Sequence, residues 1–552
     1  MSATIGINKS DFVIFGAGHD YTLADSGEGE KIFFSHPYVP LNSVNYAGQY
    51  YFRVPDENGE MIDAVKDDIA HCTFTPAIGT AFDTEGEVTV KVEYYREYIY
   101  PEETVIVQKE LEQVITVVDH GTVVEQAKYM GNVGRYYRRD IYSDGYCFIR
   151  PMSTSEFPDY YCLYSWEGKT INKVSSIPWR ATGLGNGIYG FGVSGSVDIS
   201  ELAYADTSHV TYMYDVFRNV TSDTWDALSY WDASALTELH NFAPHSNLDD
   251  ITVMSGWNPS HLTDLSNAFN YMAMESLEGL ESWDVSGVTN MSNTFSYCQS
   301  LEDISALANW NVSNVTDMSY IFTGDIVLEE LYGLEDWDVS KVTNIVSAFS
   351  NCYKLLSLEP LTNWNPKPTS LVGVFTNCHA LQSLDGIEGF DLSDCTSFAN
   401  AFFSCTKLTD ISALSSWVTS RVTDFGSMFA WDYWIDDISA INEWDFASAL
   451  NLESMFAQVS AVLTMDGISL DLSNVTNISN MFFTHPFGYL DGVGEVFEEN
   501  NTYKDYAGNT YSVLGATMTV YPKDASNAEN WDVNGTGLGA FDNNWNNRPS
   551  WN

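Results

Sequence analysis

A bulky residue returns every 26 or 27 positions across about half of this 552-residue chain, and few features restrict a fold so tightly. The opening column reads Trp231, Trp257, Trp283, Trp310, Trp337, Trp364, Phe390, Trp417, Trp444 and Leu470. A second column follows each opener by 11 or 12 residues: Phe242, Phe269, Phe295, Phe322, Phe349, Phe375, Phe402, Phe429, Phe456 and Phe482. Ten copies therefore run in register. An eleventh, degenerate copy lies upstream in "ADTSHVTYMYDVF", with Ala205 as opener and Phe217 in the Phe column. Divergent end copies are expected of a stacked array, because a terminal unit has a neighbour on one side only.

Within one unit, Val288, Met291 and Phe295 fall on one face of a 3.6-residue period behind the candidate caps Ser286 and Thr289, which predicts a short helix. Cys298 and the run Leu301, Ile304, Leu307 then predict a brief strand and turn. One such unit cannot bury its apolar face alone, but stacked units make a continuous core. If each unit adds one parallel strand at about 4.8 Å, eleven units extend roughly 50 Å. Asp264, Asn290, Asp317, Asn344, Asp424, Asn451 and Asn477 stand five residues before their Phe, where short polar side chains bond a turn backbone; they read as a structural ladder. Cys298, Cys352, Cys378 and Cys405 each follow a Phe by three residues, a repeated interior slot that suits buried free thiols better than disulfides.

The phrase W-[DN]-V-S-x-V-T-[DN]-M-S-x-x-F-x-x-C-x-x-L closely resembles the 26-residue repeat of bacterial surface proteins, the BspA-like leucine-rich family, found in Mycoplasma lipoproteins, surface proteins of gut bacteria and phage proteins. The resemblance covers residues from about 205 to 485. It implies a leucine-rich-repeat-like α/β solenoid used for adhesion and partner binding rather than catalysis. A secretory leader and a wall anchor, usual in such proteins, are not expected here, since the first residues offer only the short apolar run Phe12 to Phe15.

Upstream of the repeats, "EVTVKVEYY" alternates Val88, Val90, Val92 and Tyr94 with Thr89, Lys91 and Glu93, and "ETVIVQKE" and "EQVITVVDHGTVVE" continue the strand pattern. The expected architecture is multidomain: a β-rich, sandwich- or barrel-like attachment domain at 1–175, a Gly-rich junction and N-terminal cap at 176–204, a solenoid of about eleven repeats at 205–485, and a small C-terminal cap at 486–552. Lys128, Arg135, Arg138, Arg139 and Arg150 form a basic island in the first domain, a candidate dock for an acidic neighbour in a particle or surface assembly.

Charge narrows the partners. Lys and Arg total 24 against 75 Asp and Glu, a net charge of −51, so nucleic acid and anionic membrane surfaces are disfavoured. No run approaches the roughly 20 apolar residues of a membrane helix. H-E-x-x-H, P-loop, G-x-S-x-G and zinc-spaced Cys pairs are all lacking, so no catalytic residue or cofactor site is assigned, with calcium at "NLDDI" or "WIDDIS" the only metal entertained. Gly287, Asn314, Lys341 and Arg421 vary within one column while the core letters stay fixed, which marks a candidate recognition column. Across 205–485 only 6 Lys or Arg accompany 37 acids, so the recognising face is acidic. The function expected is non-enzymatic adhesion: an exposed phage virion component, whether fibre, receptor-binding or decoration protein, meeting a host protein or glycan, with a homotrimer entertained. The alternatives are a bacterial cell-surface adhesin and a glycan-cleaving tailspike-like enzyme.

Overall fold

The computed structural model describes residues 2–4, 14–15, 21–23, 30–32, 38–43, 45, 53–55, 61–63, 70–99, 104–130, 136–151, 171–175, 183–185, 196–205, 207–435, 437–459, 469–470, 474–477, 481, 496–498, 502–504, 510–512 and 519–520. Two compact units divide the chain, Met1–His261 and Leu262–Asn552.

The first unit is built on a long antiparallel hairpin, Gly86–Ile99 paired with Thr104–Val118, flanked by Cys72–Thr75 and, in parallel, by Tyr38–Pro40. Its alternation has the physical cause read from the sequence: Val90, Val92 and Tyr94 are buried while Thr89 and Glu93 face outward. Val39, Phe82, Leu111, Ile115 and Val117 join them in one core with Tyr142, Tyr146 and Phe148 from a second sheet. That sheet runs Val123–Met130, Tyr136–Tyr142, Tyr146–Pro151, then Lys173–Val174 in parallel.

The parallel edge leads directly into stacked coils. Lys173 bridges to Asp198, Val197 donates to the Thr221 carbonyl, and Gly183–Gly185 pairs in parallel with Tyr212–Tyr214, which pairs with Glu238–His240. The described parts of 176–204, expected as a Gly-rich junction and N-terminal cap, carry parallel pairings to the coils that follow.

In the second unit the expected helix over 288–295 is absent: the segment is a set of turns whose N–H groups bond the next repeat. Met291, Asn293, Phe295 and Tyr297 donate to the carbonyls of Asp317, Ser319, Ile321 and Thr323 at 2.8, 2.9, 3.0 and 2.6 Å. Asn293 and Tyr297 sit at φ of 57° and 60°, which no α-helix tolerates. The 3.6-residue period was a coincidence of inward-facing positions along a kinked ladder. Helical structure appears instead before the openers, as 3₁₀ turns at Ser305–Asn309, Glu359–Leu361, Ser412–Ser416 and Ser439–Glu443.

Between these turns a second variant of the repeat alternates. Gly279, Gly333 and Gly386 adopt φ of 108°, 108° and 114°, and each N–H is held by the Glu two residues on, Glu281, Glu335 or Glu388. A Cβ at Gly386 would stand 2.1 Å from the Leu358 carbonyl oxygen of the preceding repeat, so glycine is required for the close approach. At the far end Thr519–Val520 pairs in parallel with Ser469–Leu470, and Val496–Glu498, Thr502–Lys504 and Thr510–Ser512 form an antiparallel trio.

Candidate recognition surfaces and buried columns

The repeat columns separate by burial. Trp231, Trp257, Trp283, Trp310, Trp337, Trp364, Trp417 and Trp444 are all buried, 6 % exposed at most. Trp310, Trp337, Trp364 and Trp444 donate their indole N–H to the carbonyls of Leu280, Leu307, Leu334 and Leu414 in the preceding repeat, at 2.8–3.1 Å. Tryptophan therefore serves twice: the ring fills the core and the polar handle ties neighbouring coils. The rings from Phe269 through Phe295, Phe322, Phe349, Phe375, Phe402 and Phe429 to Phe456 stack at 5.4–5.8 Å with planes within 19° of parallel. Phe482 lies outside the described residues.

The Asn/Asp letters form the structural ladder expected. Asp264, Asn290, Asp317 and Asn344 bridge in succession, each turning its oxygen onto the N–H two residues on. Asn290 and Asn344 donate to the carboxylates of Asp264 and Asp317 at 3.4 and 3.0 Å. Alternating Asn with Asp avoids stacking like charges at strand spacing.

Cys298, Cys352, Cys378 and Cys405 are free and buried, each thiol donating to a Phe carbonyl of the preceding repeat at 3.1–3.3 Å. The same slot holds two residues that the sequence reading passed over, Asp325 and Asp432, both 0 % exposed. Burial pushes both carboxyls well above the usual carboxylate range, although the Cys298 N–H donates to Asp325 at 2.8 Å. Their signal was available: each stands three residues after its Phe, the slot that Cys298, Cys352, Cys378 and Cys405 fill in other repeats.

The candidate recognition column is exposed and in register, and its members pair along the array. Lys341 donates to Asn314 Oδ1 at 2.6 Å, Asn314 donates to the Ser286 carbonyl at 2.8 Å, and Arg421 pairs with Asp394. Gly287 has a steric reason to be there, since a Cβ would meet the Leu262 carbonyl oxygen at 2.6 Å. At "NLDDI" and "WIDDIS", Asp250 caps a 3₁₀ turn by accepting from the Thr252 N–H, and Asp437 accepts from the Ser439 N–H two residues on.

In the first unit, Lys128, Arg138 and Arg150 occupy directly paired register positions on three adjacent strands, and Arg139 is paired with Ala127 and Ile149. Arg135 lies outside the described residues. Nearby, Glu201 accepts from the Tyr146 hydroxyl at 2.9 Å and pairs with Lys173 at 3.2 Å, while Lys173 also reaches Asp198. Burial pushes the Glu201 carboxyl up to about 7 against the pull of Lys173 and Tyr146. His120 stacks on Tyr146 at 3.9 Å and pairs with Asp144 at 2.6 Å. No local motif announces this cluster, because the fold gathers it from separate strands and the 3₁₀ turn Ser200–Tyr204.

A family model described as "Mycoplasma protein of unknown function, DUF285" matches the chain three times, over residues 189–300, 263–381 and 369–487. A search of curated proteins finds no match.

Proposed function

Because those matches together span more than half of its residues, the chain belongs to the family described as Mycoplasma proteins of unknown function, DUF285, and on that premise we propose that it is a non-enzymatic recognition protein. In this reading the β-rich segment attaches the protein to a particle or neighbouring protein. The repeats form an extended solenoid that meets a host protein or glycan. One observation carries it: the repeated letters are consumed in packing and capping, while the exposed column of Asn314, Lys341 and Arg421 changes from unit to unit. A surface that holds its backbone constant and varies its outward side chains suits selective binding.

We place it on the exterior of a phage virion. Display on a bacterial cell is the second reading, and the family's description names bacteria of the genus Mycoplasma. Imaging of particles and of cells with an antibody against residues 205–485 separates the two. The full chain is expected to bind host surfaces without releasing reducing ends or unsaturated sugars from host polysaccharide; sugar release would favour a tailspike-like enzyme and overturn the non-enzymatic reading.

A further inference from the structure

The turns around the Phe spine carry aromatic residues where they are least expected. From the Phe269 repeat to the Phe456 repeat, two slots, two residues before and two after the Phe, hold the backbone at positive φ, and most of these repeats place Asn, Ser or Gly there. Tyr320 takes the first slot at 58°, and Tyr271, Tyr297 and Trp431 take the second at 56°, 60° and 73°. All four remain 37–40 % exposed. A bulky side chain in left-handed backbone carries a conformational cost, and here it leaves a ring partly open to water. Tyr297 stacks on Tyr271 at 4.7 Å, and Gly324 clears its other side, where a Cβ would come within 2.5 Å of the ring. Tyr353 and Trp434 extend the exposed aromatic surface on equivalent turns, Trp434 at 66 %.

Charge beside these rings selects the occupant. Exposed Glu275, Glu302 and Asp437 follow Tyr271, Tyr297 and Trp434 within three to five residues. Glu302 donates its N–H to the Glu275 carbonyl at 2.8 Å, so the acids lie in one inter-repeat ladder. Lys354, next to Tyr353, reaches back to Glu329 of the preceding repeat at 3.3 Å, a resident example of a cation seated on this edge. From Tyr271 to Trp431 is six repeat steps, roughly 29 Å at about 4.8 Å each, the length of about nine residues of extended chain.

We propose that this aromatic and acidic edge of the second unit docks an extended Lys/Arg-bearing polypeptide segment of a partner, its cations lying on the exposed rings and paired with the flanking carboxylates. The proposal rests on the recognition reading above and names the partner's chemistry. It is tested with the full chain and a labelled ten-residue peptide alternating Lys and Ser, at about 0.15 M salt. Replacing Tyr353, Trp431 and Trp434 together by Ala leaves the net charge unchanged and is expected to weaken binding about tenfold. Trp434→Ala alone, at the most exposed ring, should weaken it two- to fivefold with the thermal midpoint unmoved, whereas Tyr332→Ala, on a different turn, should leave binding within twofold. Equal affinity for the ring-deleted and parent proteins would overturn the proposal, because charge alone would then explain the binding. Tighter, ring-dependent binding of a neutral oligosaccharide would overturn it in favour of a glycan while preserving recognition. If the intact chain bound the peptide but no cell or particle surface, the recognition reading would fail instead.

Discussion

At the scale of single residues, the Trp337 indole both packs and donates, and the two roles can be measured apart. Trp337→Ala removes a ring that is 3 % exposed and should cost about 3–5 kcal/mol, read from chemical denaturation. Trp337→Phe keeps most of the apolar volume but leaves the Leu307 carbonyl without its indole partner, so a loss nearer 1–2 kcal/mol is expected. A loss below about 1 kcal/mol for the Ala variant would show that the column is not core. The buried acids make a different kind of prediction. A carboxyl whose folded pKa is raised contributes its full stability below the ordinary unfolded value and loses it as pH rises through the folded one. Asp325 and Asp432 should therefore weaken the fold progressively from acid toward neutral and alkaline pH. Replacing both by Cys, which fills the same slot in neighbouring repeats, should flatten stability against pH between about 5 and 8, and parallel curves for parent and variant would reject the assignment.

At the scale of elements, the repeats opening at Trp283 to Trp417 alternate a Gly-Leu/Ile-Glu turn with a 3₁₀ turn, which explains a phrase such as "GLESW" that core packing leaves unaccounted for. Gly386→Ala combines a φ of 114° with a 2.1 Å approach to the Leu358 carbonyl and should destabilise by about 2–4 kcal/mol, while Gly426→Ala, where the nearest atoms are the ends of side chains, should cost clearly less. Similar losses at both sites would mean that the tight approach relaxes easily. The comparison also shows what could be read in advance. Periodic Trp, Phe and Cys columns were legible because burial repeats with the chain's own period. The turn type was not: inward positions on a kinked ladder mimic a helical period over eight residues, and only hydrogen bonding to the next repeat distinguishes them. Gly287 looked like free variation because a missing side chain carries no sign that a neighbouring carbonyl excludes one. The exposed rings were also missed, since Tyr and Trp raise an expectation of burial, and only their backbone conformation and exposure mark them out.

At the scale of the whole molecule, strand patterning marks an attachment domain at 1–175, and the first compact unit runs on to His261. The reason is mechanical: the Tyr146–Pro151 strand pairs with Lys173–Val174, Lys173 bridges to Asp198, and Glu201 takes the Tyr146 hydroxyl. A fragment ending at 175 leaves Tyr146 and Lys173 without these partners, whereas one ending at 261 keeps them, so only the longer should unfold cooperatively with a near-ultraviolet signature of fixed aromatics. The longer fragment should also carry a pH dependence of its own. Glu201 titrates near 7 when folded and about 4.3 when unfolded, so its contribution is complete below about 4 and is lost as pH rises through 7. The difference is worth about 3 kcal/mol between pH 4 and pH 8. Glu201→Gln cannot ionise and should remove most of that slope while keeping a side chain able to accept from Tyr146. A variant whose stability still falls as steeply as the parent's would show that Glu201 is charged in the folded protein, held by Lys173 strongly enough to overcome its burial.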